Sequence, residues 1–175
     1  MPHERPEFVF LDMGNVIVSF DRERAFRQMA EVSGALVETV RTVAMDADLH
    51  DAIERGTIDW REFHALFSTR TGTTSDPLAL ARAASDMFTI KIDMLPVIAG
   101  LERTGCGLGI LSNTCGPHWE HLLARRYAVL PGNFRLVVLS HEVRAVKPEP
   151  EIYRLAAERA GVPPGRIFFC DDILA

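Results

Sequence analysis

Four short apolar runs punctuate the chain: Phe8-Val9-Phe10-Leu11, Leu108-Gly109-Ile110-Leu111, Leu136-Val137-Val138-Leu139 and Ile167-Phe168-Phe169-Cys170. Unbroken runs of this length suit strands buried on both faces, as in a parallel sheet. Three of them lead straight into small polar or acidic residues: Asp12, Ser112-Asn113-Thr114 and Asp171-Asp172. The remaining run leads into Ser140-His141. This layout predicts an open α/β sheet whose chemistry lies outside the carboxyl ends of its strands. Between the runs, Pro150 to Ala160 carries Ile152, Leu155 and Ala156 at helical spacing, and Gly161 supplies the stop. Leu95 to Arg103 reads as a second helix, closed off by Gly105.

The stretch from about Asp21 to Thr89 has a different texture. It contains no convincing strand and four helical patterns: Ala25 to Val32, Val37 to Ala47, Asp59 to Phe67 and Leu78 to Phe88. Gly56 and Gly72-Thr73-Thr74-Ser75-Asp76-Pro77 interrupt it. Asp59 is placed to cap its helix, with Glu62 as the reciprocal partner. The segment therefore reads as a helical insertion between the first and second core strands.

Composition narrows the function. The 175 residues are 47% apolar and 25% charged, enough to bury a core. A net charge of −5 argues against a general nucleic-acid binder, which would carry a basic face. No apolar run approaches the roughly 20 residues of a membrane span, and the polar start has no signal core. Three scattered cysteines, Cys106, Cys115 and Cys170, read as free thiols of a reducing compartment. The expected location is the cytoplasm.

Four features follow one another along the chain: Asp12-Met13-Gly14-Asn15-Val16, Ser112-Asn113-Thr114, Lys147-Pro148-Glu149-Pro150 and Asp171-Asp172. Alone, each has an ordinary reading as a cap, a turn or a solvated charge. Together they describe a pocket, because a parallel sheet brings neighbouring strand ends side by side. Clustered carboxylates hold Mg²⁺, a hard cation that takes oxygen ligands. A hydroxyl, loop N–H groups and a lysine hold phosphate oxygens. An aspartate left facing phosphorus is a nucleophile. The set fits phosphoryl transfer, which depends on alignment and charge neutralisation.

With these four motifs in order, the chain resembles the haloacid dehalogenase superfamily over nearly its whole length. The resemblance implies a Rossmann-like three-layer α/β/α core from residues 1–20 and 90–175, with a small helical cap over 21–89. The Glu54-Arg55-Gly56-Thr57-Ile58 stretch is similar to a turn of such caps. It implies a phosphatase acting on a small phosphorylated metabolite. Asp12 attacks phosphorus, and Asp12, Asp171, Asp172 and the Gly14 carbonyl hold Mg²⁺. Ser112 and the Asn113 N–H hold the phosphoryl group, and Lys147 neutralises charge.

Two positions depart from the family pattern. Most phosphatases of the superfamily carry a second aspartate two residues after the nucleophile, which protonates the leaving group; here Gly14 stands there. Losing that group costs about 10²–10⁴-fold, so the expectation is a slow enzyme or an easily departing leaving group. A sugar 1-phosphate fits the second case, and the Asp-x-Gly-Asn-Val wording is similar to the branch with bacterial α-D-glucose-1-phosphate phosphatases. The family also continues after the fourth motif with an Asn-containing helix and an edge strand. This sequence ends at Ala175, which reads as a shortened form.

Lesser signals are His118 and Trp119, close after the Ser112 loop, with His118 the candidate substrate contact at the pocket mouth. His50, in the cap, has two readings, one facing the site and the commoner one a packing or surface residue, and Cys115 reads as structural. Two other functions stay open. A metal-independent 2-haloacid dehalogenase would use the same aspartate on carbon, though that branch has an aromatic residue where Gly14 stands. A catalytically impaired phosphate- or partner-binding protein would keep the fold without turnover.

Overall fold

The computed structural model describes residues 5–125, 127, 130 and 132–173; the chain ends, including Ala175, lie outside them. In chain order the strands are β1 (Phe8–Leu11), β2 (Val18–Phe20), β3 (Phe88–Ile90), β4 (Gly107–Ser112), β5 (Leu136–Leu139) and β6 (Ile167–Cys170). The helices are α1 (Arg22–Ser33), α2 (Val37–Ala44), α3 (Ala47–Glu54), α4 (Trp60–Thr71) and α5 (Pro77–Ser85). They continue with α6 (Leu95–Arg103), α7 (Gly116–Ala124), α8 (Ser140–Val143) and α9 (Pro150–Ala160).

The four apolar runs form one parallel sheet in the order β5-β4-β1-β6. Successive side chains of β1 point to opposite faces. Val9 and Leu11 join a core with Ile98 of α6, Ile110 of β4 and Leu122 of α7. Phe8 and Phe10 join the other core with Ile152 and Ala156 of α9. This is the three-layer α/β/α arrangement that unbroken apolar strands demand. Gly107 and Gly109 of β4 make room for the two phenylalanines. A Cβ at Gly107 would lie 2.4 Å from the Phe8 ring, and one at Gly109 would lie 2.6 Å from the Phe10 ring.

Helices α1 to α5 assemble around a separate cluster that includes Phe26, Val40, Leu49, Phe67 and Leu80. The Asp59–Glu62 capping box forms as the sequence suggests. Two local expectations need correction. The pattern from Val37 to Ala47 is not one helix: the chain turns at Met45, and the Asp46 carboxylate accepts from the Leu49 N–H at 3.0 Å to start α3. The pattern from Leu78 to Phe88 stops at Ser85, and Phe88–Ile90 pairs antiparallel with Val18–Phe20. The insertion thus leaves and rejoins the sheet through a two-stranded ribbon, whose three-residue strands are too short for periodicity to reveal. The strand ending in Cys170 is an outer strand of the described sheet, so Cys170 is half-buried and Phe168 is 56% exposed. Among the described residues, no helix is long and apolar enough to cross a membrane.

Candidate active site

Asp12 follows β1 directly, and its N–H donates to the Cys170 carbonyl at 2.9 Å, which continues the ladder toward β6. Ser112 is the last residue of β4, buried to 1% exposure. Asp171 and Asp172 follow β6. The parallel register therefore sets these groups side by side at one sheet edge, as the motif order requires. With Lys147, Gly14, Asn113 and His118 they line a single cleft of about 610 Å³, so the catalytic, substrate and metal candidates of the sequence meet here.

Lys147 sits at its centre. Its Nζ lies 3.0 Å from Asp12 Oδ1 and 2.6 Å from Asp171 Oδ2, and its side chain is only 10% exposed. Asn113 fixes the lysine's backbone from both sides, donating from Nδ2 to the Lys147 carbonyl at 3.1 Å. In return its Oδ1 accepts from the Lys147 N–H at 2.7 Å. Burial pushes the Asp12 carboxyl up, opposed by Lys147, the Ser112 hydroxyl and the Met13 N–H. Burial also pushes Asp171 up, but Lys147 and the Ile173 N–H outweigh it and hold that carboxyl below its ordinary value.

One carboxylate oxygen from each of Asp12, Asp171 and Asp172 lies within 4.8 Å of the other two. Three convergent hard oxygens fit a small divalent cation such as Mg²⁺ better than a soft one. Asn15, part of the first motif but given no role from the sequence, holds Asp172 in place. Its backbone takes the left-handed conformation, φ 53°, which asparagine tolerates, and its Nδ2 donates to Asp172 Oδ2 at 2.9 Å. Gly14 presents no side chain, and a Cβ there would lie 3.2 Å from the Phe20 ring.

His118 packs edge-on to Phe88, and burial pushes its imidazole down to about 4, so it is neutral at physiological pH. Trp119 beside it is partly buried against the sheet core. Burial pushes the Cys115 thiol up to about 12, which suits its structural place in the helical cluster.

The helical insertion reaches this cleft through the turn after α3. Ser140 Oγ accepts from the Thr114 N–H at 2.9 Å and has one proton to give. The Glu54 carbonyl at 2.6 Å is a nearer acceptor for it than the Thr114 carbonyl at 3.1 Å. Arg55 Nη1 bridges both Glu149 oxygens at 2.9 and 3.0 Å. Gly56 takes φ +69°, and a Cβ there would fall 2.2 Å from the His141 carbonyl oxygen. Only glycine lets the turn approach so closely. Gly56→Ala is expected to lift this turn from the sheet edge, costing about 1–3 kcal/mol in a thermal melt and lowering kcat/KM.

Comparison with known proteins bears on the family and the fold. The family model for haloacid dehalogenase-like hydrolases matches residues 7–175. The glyceraldehyde 3-phosphate phosphatase of Methanopyrus kandleri is 28% identical over 162 residues, covering 87% of this chain and 67% of that protein. A crystal structure of a HAD family enzyme from Bacteroides thetaiotaomicron superposes with a TM-score of 0.84 at 26% identity, covering 97% of this chain and 86% of that one. Its magnesium complex matches with the same TM-score at 25% identity, covering 97% and 85%. The L-2-haloacid dehalogenase of Xanthobacter autotrophicus, with chloropropionic acid covalently bound, has a TM-score of 0.65 at 21% identity, covering 94% and 69%, a likeness of fold alone. The chain belongs to the haloacid dehalogenase-like hydrolases.

Proposed function

We propose that this hydrolase is a Mg²⁺-dependent phosphate monoester phosphatase that acts on a small phosphorylated metabolite, with Asp12 as the nucleophile. The observation that carries the reading is Lys147 set between Asp12 and Asp171, beside Asp172, in one cleft. A lone ammonium among three carboxylates suits a site that receives a cation and an anionic phosphoryl group together. The phosphatase relative from Methanopyrus kandleri and the magnesium-bound neighbour support it.

In this mechanism Asp12 attacks phosphorus, and the leaving oxygen departs in line on the far side. Ser112 Oγ and the Asn113 N–H hold the equatorial oxygens, while Lys147 neutralises charge between nucleophile and phosphoryl group. Asp12, Asp171, Asp172 and the Gly14 carbonyl would hold Mg²⁺, whose positive charge offsets the charge on the phosphoryl group. Residues 21–89 act as a cap over the cleft, on a core of 1–20 and 90–175, with β2 and β3 as the joint. Within the substrate class, a sugar 1-phosphate is the finer candidate. Three free cysteines point to a reducing compartment such as the cytoplasm.

The test is phosphate release from a panel of sugar and triose phosphates, with Mg²⁺ or with EDTA. The expected result is release with Mg²⁺ that falls to background in EDTA. Folded, metal-loaded protein that releases nothing would sink the reading. Halide release from a 2-haloacid that persists in EDTA would replace it with dehalogenation.

A further inference from the structure

The site lacks a side chain at Gly14, yet an alkoxide leaving group needs a proton. The cleft contains another carboxyl. Glu54, the last residue of α3, lines it from the side of the helices, together with His50 one turn earlier. His50 Nε2 lies 3.5 Å from Glu54 Oε1, and the Glu54 side chain is 25% exposed. Its backbone is tied to the sheet edge by Ser140, and the next two residues are tied by Glu149 and by close contact with His141. Three anchors on one short turn hold Glu54 in the wall of the cleft.

We propose that Glu54 is the general acid and base of the reaction, taking the role that position 14 leaves empty, with His50 as its positioning residue. The inference rests on the phosphatase reading above. Asp12 enters the cleft from the end of β1, and Glu54 lines the same cleft from the helical insertion; in this proposal the leaving oxygen, in line with Asp12, lies on the Glu54 side. In the first step the Asp12 Oδ–P bond forms and the bond from phosphorus to the leaving oxygen breaks. The Glu54 carboxylic acid gives its proton to that oxygen, releasing the alcohol. In the second step water attacks phosphorus, its proton passes to the Glu54 carboxylate, and the Asp12 Oδ–P bond breaks to release hydrogen phosphate.

The chemistry of the wall agrees. Burial raises the Glu54 carboxyl above its ordinary value, so its acid form persists to higher pH. The charged groups facing it are His50 and Asp51 of its own helix, Arg22 of α1 and Lys147 from the sheet edge. Of these, His50, Arg22 and Lys147 pull it back down, and Asp51 pushes it further up.

The experiment compares kcat/KM for phenyl phosphate and p-nitrophenyl phosphate, which covers the steps through phosphoryl transfer and excludes hydrolysis of the intermediate. Phenol, with a pKa of about 10, needs protonation to leave; nitrophenolate leaves unaided. Glu54→Gln is expected to lower kcat/KM for phenyl phosphate by about 10²-fold or more and for p-nitrophenyl phosphate by less than about tenfold, the difference between the two esters reflecting the lost proton. The alkaline limb of the phenyl phosphate pH profile should vanish, and Glu54→Asp should recover part of the rate. His50→Gln should move that limb upward, because a stabilising charge is gone; if Glu54→Gln does not fold, this shift carries the test. Equal losses for both esters, no loss, or an unmoved limb overturn the inference and leave the phosphatase reading intact. No phosphate release from either ester by the unmodified enzyme overturns both.

Discussion

Asp12→Asn is expected to lower kcat for phosphate release by about 10⁴–10⁶-fold, the scale on which loss of a nucleophile acts. The amide keeps the shape of the side chain but not its charge or nucleophilicity. Asp12 is 7% exposed and sits beside the Lys147 ammonium. The neutral amide takes one carboxylate from Lys147, which keeps Asp171 at 2.6 Å, and also removes a like-charge neighbour of Asp171 and Asp172, so the fold should survive. Thermal melting within a few degrees of the unmodified protein, with phosphate release at background, is the expected pair of results. Substantial turnover by folded Asp12→Asn would move the nucleophile elsewhere.

Lys147→Met is the second large effect, and it reaches stability as well as rate. Methionine keeps the length of the stem but leaves the buried side chains of Asp12 and Asp171 without their cation. Breaking a buried pair from one side costs about 3–5 kcal/mol. For a chain of this size that corresponds to a fall in Tm of roughly 10 °C. Mg²⁺ should return part of the loss, because a ligand at 100 times its Kd adds about 2.7 kcal/mol. The rate should still fall by about 10²–10³-fold, since the positive charge beside the transferring group is gone. Differential scanning calorimetry with and without Mg²⁺ checks the first part, and steady-state phosphate release checks the second. A Tm unchanged in the metal-free protein would contradict a structural role for the ammonium.

The sheet was largely legible in the sequence. β1, β5 and β6 coincide with their apolar runs, and α6 and α9 with their helical stretches. Unbroken apolar runs suit burial on both faces, which β1 and β4 show, while the outer strand β6 leaves Phe168 exposed. The motif residues were legible because strand ends converge in a parallel sheet whatever lies between them. The insertion was harder. A helix break at Met45-Asp46 looks like continued periodicity until the Asp46 cap is seen. β2 and β3 are three residues each and exist only because they pair with one another. Glu54 carries no local signal of chemistry beyond the cap-like turn it opens, and for His50 a place facing the site is the lesser of two readings, because it is the tie of the turn after α3 to the sheet edge that sets both in the wall of the cleft. Asn15 reaches Asp172 only through a left-handed backbone that its composition permits but does not announce.

Acid-quenched turnover with a phosphate ester labelled in its phosphoryl group tests the central claim most directly. The label should appear on the peptide that contains Asp12, in the presence of Mg²⁺, and should persist longer in Glu54→Gln. Rapid phosphate release with that peptide unlabelled throughout would contradict the account.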